Sequence, residues 1–262
     1  MGVGDILDGA IKLMRANAKT LLIIIVTVAL PLDIVMAYFE RNLNGGQGIL
    51  QIIHNPSASQ PNSPSSTFTV YIFTILATWI VIPLVCAAAS RVVMASYLGG
   101  ALKAKDALKA MLRRAPALLV ATLIVHLAEL VGVLGIGIGY FFVMPLFIMT
   151  APAISLEDLG PFAGVARSFR LAKRRYWPTV GIALLSGLLA YFLNFAVGLV
   201  PSVIVIFIGY RWGWLIVAGT SLLQQLVTIS LITIVATLVY LDARIRQEGF
   251  DLQVMASRLE AP

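Results

Sequence analysis

Cysteine occurs once in this chain, at Cys86, and histidine twice, at His54 and His126. One thiol builds no disulfide framework, and so few soft or imidazole ligands make no metal cluster, so neither a metal nor a cofactor is implied. Charge is also scarce. Only 12% of the 262 residues are charged, while 60% are hydrophobic and the mean hydropathy is +0.94. A soluble domain carries about twice that charge. So few charged groups cannot cover a globule's surface, which excludes a water-soluble fold, and the same composition excludes disorder. No Ser-His-Asp arrangement and no phosphate loop is present. The glycines at Gly135, Gly137 and Gly139 are no dinucleotide fingerprint, because no strand precedes them.

Long apolar runs are what the chain has instead. A hydrocarbon core about 30 Å thick needs about 20 apolar residues in a helix. That length predicts an all-α polytopic bundle of six spans over 21–39, 68–89, 116–134, 138–152, 177–200 and 214–240. Gly135, Gly137 and Gly139 mark a tight turn between the third and fourth. Pro201 breaks the fifth, and 201–210 is expected as a bent or re-entrant continuation. The whole of 1–262 is thus one transmembrane domain. Its first span is expected to be retained, because the segment before it is long and holds Asp5 and Asp8, and the span itself holds Asp33.

Six spans put both termini on one side. Segments 1–19, 99–115, 153–176 and 241–262 hold sixteen of the nineteen lysines and arginines. Arg91 ends the second span on that same side, and only Arg41 and Arg211 fall on the other. The bias predicts that both termini are cytoplasmic. The net charge of +7 is therefore an orientation signal, not a nucleic-acid footprint.

Three basic amphipathic helices are expected at the inner surface, over about 3–17, 101–114 and 156–176, each before a two-span hairpin. Their cations are Lys12, Arg15, Lys103, Lys105, Lys109, Arg113, Arg114, Arg167, Arg170, Lys173, Arg174 and Arg175. These are candidate contacts to anionic lipid, each worth about 1 kcal/mol near a charged leaflet; topology alone also calls for such residues. The outer loop, 40–66, is Ser/Pro/Asn-rich from Asn55 onward. It suits a solvated linker.

Ionisable groups inside spans are costly and are the first functional suspects. Asp33 stands about 18 Å from the inner end of its span, and His126 and Glu129 about 15 and 20 Å along theirs. His126 and Glu129 are three residues apart and share a helix face. Two interpretations remain open. In one, Asp33, His126 and Glu129 form a coupled site that carries a proton or binds a cationic group. In the other, they make interhelical hydrogen bonds, a carboxyl being neutral or paired with Arg211 entering from the outer side. Asn194, Gln224 and Gln225 are expected as interhelical glue, and Cys86 as a small packing residue.

Three stretches carry a family likeness. They are Gly4-Asp5-Ile6-Leu7-Asp8-Gly9-Ala10, then Leu156-Glu157-Asp158-Leu159-Gly160-Pro161-Phe162-Ala163 with Arg167-Ser168-Phe169-Arg170-Leu171 and Tyr176-Trp177-Pro178, and finally Tyr240-Leu241-Asp242-Ala243-Arg244-Ile245-Arg246-Gln247-Glu248-Gly249-Phe250-Asp251-Leu252. The set resembles the glycerophosphoryl diester phosphodiesterase membrane domain-like proteins of bacteria, especially actinobacteria. The resemblance implies an all-helical plasma-membrane domain. It does not carry the phosphodiesterase reaction, because the family's catalytic barrel with its His-Arg-Gly motif has no counterpart here. The motifs also have physical roles. Ser155 suits an N-cap with Glu157 and Asp158 in the first turn, Pro161 suits a first turn, Asp242 and Arg246 a one-turn pair, and Gly249 a helix stop.

The expected function is a non-enzymatic membrane subunit or scaffold. It would meet anionic inner-leaflet lipids, and a membrane-protein partner or a second copy of itself. The alternative is a small transporter or lipid-handling protein that uses its intramembrane acids.

Overall fold

The computed structural model describes residues 2–40, 53–54, 64–136 and 139–250. Most of the 40–66 loop, with Arg41, lies outside the described residues, as does 251–262. The described chain is all-α, with six helical stretches long and apolar enough to cross a membrane. It is an integral membrane protein of the multi-pass kind.

Helix α1 (Val3–Ala16) is amphipathic. It buries Ile6 and Ala10 and turns Lys12 and Arg15 outward. Its end comes at Asn17, whose side-chain amide donates to the Leu13 carbonyl at 3.0 Å. α2 (Ala18–Glu40) and α3 (Pro64–Tyr97) follow. α3 is longer than the expected 68–89 segment, so Arg91 lies within it rather than at its end.

α4 (Ala104–Ile136) joins the expected interfacial piece at 101–114 and the span at 116–134 into one helix. Pro116 removes a single ladder bond, that to the Leu112 carbonyl, and Leu112 is an exposed residue, so the helix runs through. Residues 137–138 of the expected glycine turn lie outside the described residues, and α5 (Tyr140–Phe147) follows. A Cβ on Gly139 would stand 2.1 Å from the Gly132 carbonyl oxygen, so only glycine lets the two backbones come this close.

The expected span 138–152 is two short helices, α5 and α6 (Thr150–Glu157), interrupted at Ile148 and Met149. Pro152 has no N–H for the Ile148 carbonyl, which favours a break there. Ser168 Oγ donates to the Leu146 carbonyl at 2.9 Å, satisfying one acceptor beside the interruption. The expected helix at 156–176 is also divided. α6 ends at Glu157 with Asp158 in the left-handed region, and α7 begins at Pro161 and ends at Arg174. Glu157 and Asp158 thus close one helix instead of opening the next. Ser155 is no N-cap: its hydroxyl donates to the Ala87 carbonyl of α3 at 2.6 Å.

α8 (Tyr176–Ile208) passes Pro201 unbroken, so the re-entrant continuation is not formed. α9 (Tyr210–Glu248) stops at Gly249, whose φ of 63° and N–H to the Ile245 carbonyl make it the expected C-terminal glycine. At 39 residues α9 is about 58 Å long, well beyond a hydrocarbon core. It is also the axis of the bundle: 83% of its most apolar stretch is buried, against 11% in α4 and in α8. Small residues let α3 approach it closely. Ala87, Ala88, Ala89 and Ser90 are fully buried, Cys86 Sγ lies 2.8 Å from Thr233 Oγ1, and Ser90 Oγ lies 3.0 Å from Thr237 Oγ1.

Candidate functional site

The chemistry-bearing side chains fall into two groups. The first is an ionic clasp at the end of the bundle where α1, α7 and the last turns of α9 meet. Arg167 of α7 donates to Glu157 at 2.9 and 3.0 Å and to Glu248 at 2.7 Å. Arg244 reaches Glu248 at 3.2 Å, and the Tyr240 hydroxyl donates to Glu157. Arg175 and Arg246 both pair with Asp242, the latter at 3.0 Å as its one-turn spacing predicts. Arg91 and Arg114 share Asp158 at 2.8 and 3.0 Å.

These pairs set the titration of the clasp. Burial pushes the Asp158 carboxyl upward, but the Arg91 and Arg114 guanidinium groups outweigh it and hold Asp158 below the usual carboxylate value. Hydrogen bonding to Glu248, and then to Glu157, outweighs the burial of Arg167 and keeps that guanidinium firmly charged. Three residues expected to meet lipid, Arg114, Arg167 and Arg175, are therefore held internally. The remaining cations of that set are exposed: Lys12, Arg15, Lys103, Lys105, Lys109, Arg113, Arg170, Lys173 and Arg174.

The second group lies at membrane depth in two cavities on either side of α3. The larger, about 370 Å³, opens between α3, α4, α5, α6 and α9. Its walls are mostly apolar, among them Pro83, Leu118, Ile154 and Ile232. Polar groups interrupt these walls. His126 and Glu129 are joined at 2.8 Å through Nδ1, and Trp79 stacks on the His126 ring with centroids 4.3 Å apart. With Nδ1–H donated to the carboxylate, Nε2 is left to accept from a ligand, or to donate to it when the ring is protonated. Thr150, at the start of α6, is among the residues around the cavity, and its Oγ1 is buried with no hydrogen-bond partner.

The smaller cavity, about 280 Å³, lies between α2, α3 and α9 around Asp33. Gln225 Nε2 donates to both Asp33 oxygens, at 2.8 and 2.7 Å. Thr78 and Ile82 of α3 line both cavities and form part of the wall between them.

The structure therefore joins His126 to Glu129 and places Asp33 in the neighbouring cavity. Arg211 joins neither. It is exposed at the start of α9, fourteen residues and about 21 Å before Gln225, beyond the reach of an arginine side chain from Asp33. Gln224 ties α9 to α8 through Asn194 Oδ1 at 2.8 Å, in the interhelical role expected of both residues. Sequence inspection did not find Thr150, because only the broken span leaves its hydroxyl unpaired. It also missed Gln225 as the partner of Asp33, a residue 192 positions away.

No family model, curated protein or solved structure matches the chain. Within the fold, the stretches at 156–171 and 240–249 supply the carboxylates of the clasp with Arg167, Arg244 and Arg246, while Arg91, Arg114 and Arg175 come from outside them.

Proposed function

We propose that this integral membrane protein takes a membrane amphiphile sideways out of the bilayer into the cavity between α3, α4, α5, α6 and α9. One observation carries the proposal. A cavity of about 370 Å³ at membrane depth combines long apolar walls with a hydrogen-bonded His126–Glu129 pair. That pairing of apolar surface with few oriented polar groups is the usual composition of a small-molecule site. Between Leu118 and Glu129 the wall runs about 16 Å along α4. Such a slot suits an acyl or isoprenoid chain beside Leu118 and Ile154, with the ligand's polar group at His126 Nε2 and Glu129. No reaction is assigned to it.

A second reading rests on a separate observation. Nine exposed cations lie on the elements around the clasp, which supports a scaffold held against anionic inner-leaflet lipid or a protein partner.

Extraction into nanodiscs of phosphatidylethanolamine and phosphatidylglycerol, followed by native mass spectrometry, separates the two. The proposal predicts one amphiphile per chain that survives stripping of bulk lipid, and its loss in Ala151→Phe, which fills the cavity. Lipid retention unchanged by Ala151→Phe but lost on neutralising Lys105, Lys109 and Arg113 supports the scaffold reading instead.

A further inference from the structure

We infer that the smaller cavity, around Asp33, is a binding site for a monovalent alkali cation. The inference stands on the polarity of the atoms facing it. Asp33 sits at membrane depth on α2, and among the described residues no lysine, arginine or histidine lines the cavity. Among the described residues its hydrogen-bond donor is Gln225, whose one amide nitrogen serves both carboxylate oxygens. A carboxylate accepts through about four lone pairs, so most of its capacity is open.

Three of the four hydroxyls that line the cavity cannot supply more donors, that of Ser221 being the exception. Thr78 donates to the Thr74 carbonyl at 2.8 Å, Thr74 to that of Val70 at 2.9 Å, and Thr228 to that of Gln224 at 2.6 Å. Each hydroxyl has a single proton, and here the proton is committed to the helix ladder. What these three threonines offer the cavity is lone pairs. Gln225 adds its amide oxygen, because its nitrogen faces Asp33, and Ser221 adds a further hydroxyl on α9. The cavity is thus rich in acceptors, poor in donors and carries one formal negative charge.

That composition selects the ligand. Oxygen atoms from a carboxylate, an amide and hydroxyls are hard donors suited to alkali and alkaline-earth ions. One carboxylate balances one positive charge and leaves a divalent ion with an uncompensated charge at membrane depth. At about 280 Å³ the space exceeds a bare ion and leaves room for part of its hydration shell. The site is also a response to cost: an ionised carboxylate within a membrane requires a counter-charge, and Arg211 is too far along α9 to be it.

The test uses the full chain in nanodiscs at pH 7.5, with thermal unfolding followed at constant ionic strength in NaCl, KCl or N-methylglucamine chloride. The expected result is a midpoint that rises by several degrees and saturates with Na⁺ or K⁺, and no such rise in Asp33→Asn. Ser221→Ala keeps the midpoint in N-methylglucamine and shifts half-saturation to roughly tenfold higher alkali concentration, the factor expected for about 1.4 kcal/mol. Equal midpoints in all three salts overturn the inference, as does an alkali response that persists in Asp33→Asn. A midpoint that follows pH and ignores the alkali ion also overturns it, and makes Asp33 a proton site. If Asp33→Asn does not fold, Ser221→Ala decides the matter: an unmoved half-saturation contradicts the site.

Discussion

The clasp and the membrane-depth cavities handle the same problem, a carboxylate away from water, in opposite ways. At the clasp, Glu157, Asp242 and Glu248 each meet at least one guanidinium, and Arg167 bridges two of them with a side chain only 15% exposed. At membrane depth, Asp33 and Glu129 meet an amide and an imidazole, and each borders open volume. The first arrangement is closed and electrostatically balanced, so its charges hold helices together. The second leaves hydrogen-bonding capacity unused next to space, as expected of groups that receive something. Charge within a membrane protein is therefore not by itself a functional sign; partner supply and adjoining volume separate the two cases.

The comparison breaks most visibly at Arg167. Its replacement in Arg167→Ala strands Glu157 and Glu248 in a partly buried setting, and loss of one member of a buried pair costs about 3–5 kcal/mol. Unfolding in mild detergent is expected to shift by an amount in that range. Much of the loss should be recovered when Glu157→Gln and Glu248→Gln are added, because the stranded charges are then gone.

Asp33→Asn should behave differently. The amide keeps a hydrogen bond to Gln225 and removes a charge without orphaning one, so stability in alkali-free buffer should change by less than about 1 kcal/mol. A loss as large as that of Arg167→Ala would show that Asp33 is a structural charge like those of the clasp.

The smallest effect belongs to Asp158, which is half exposed. Its folded-state pKa is depressed, so its stabilising contribution is present above the unfolded carboxylate value of about 3.9 and is lost as pH falls through the lower folded value. Asp158→Asn should therefore lower the neutral midpoint slightly and flatten the acid limb of the stability profile below about pH 4 by the same small amount. An acid limb identical to that of the wild type would show that the Arg91 and Arg114 contacts do not operate in solution.

Features set by local chemistry were legible in the sequence. The six apolar stretches are dictated by the thickness of a bilayer, and Pro161, Gly249 and the Asp242–Arg246 pair each act within about one helical turn. Prolines were harder to interpret, because their consequence depends on the surroundings. Pro116 and Pro201 lie inside continuous helices, whereas the span holding Pro145 and Pro152 is broken. The candidate site was half legible. His126 and Glu129 are neighbours on one helix face, but Gln225 and Thr150 become relevant only through packing across helices. The clasp was hidden for the same reason: Glu157 and Glu248 reach Arg167 from 10 and 81 residues away. Basic residues in an amphipathic helix look alike in sequence whether they face lipid or a buried carboxylate.

The central claim is that an amphiphile enters the cavity beside α4, and photo-crosslinking with a phospholipid carrying a diazirine on its acyl chain tests it most directly. Met144 and Ile232 line the cavity and are only partly buried, whereas Leu123, Leu127 and Leu130 face outward on α4. The account predicts crosslinked peptides that include Met144 and Ile232, and their loss in Ala151→Phe with outward labelling unchanged. Labelling confined to the outward leucines in the wild type would contradict it.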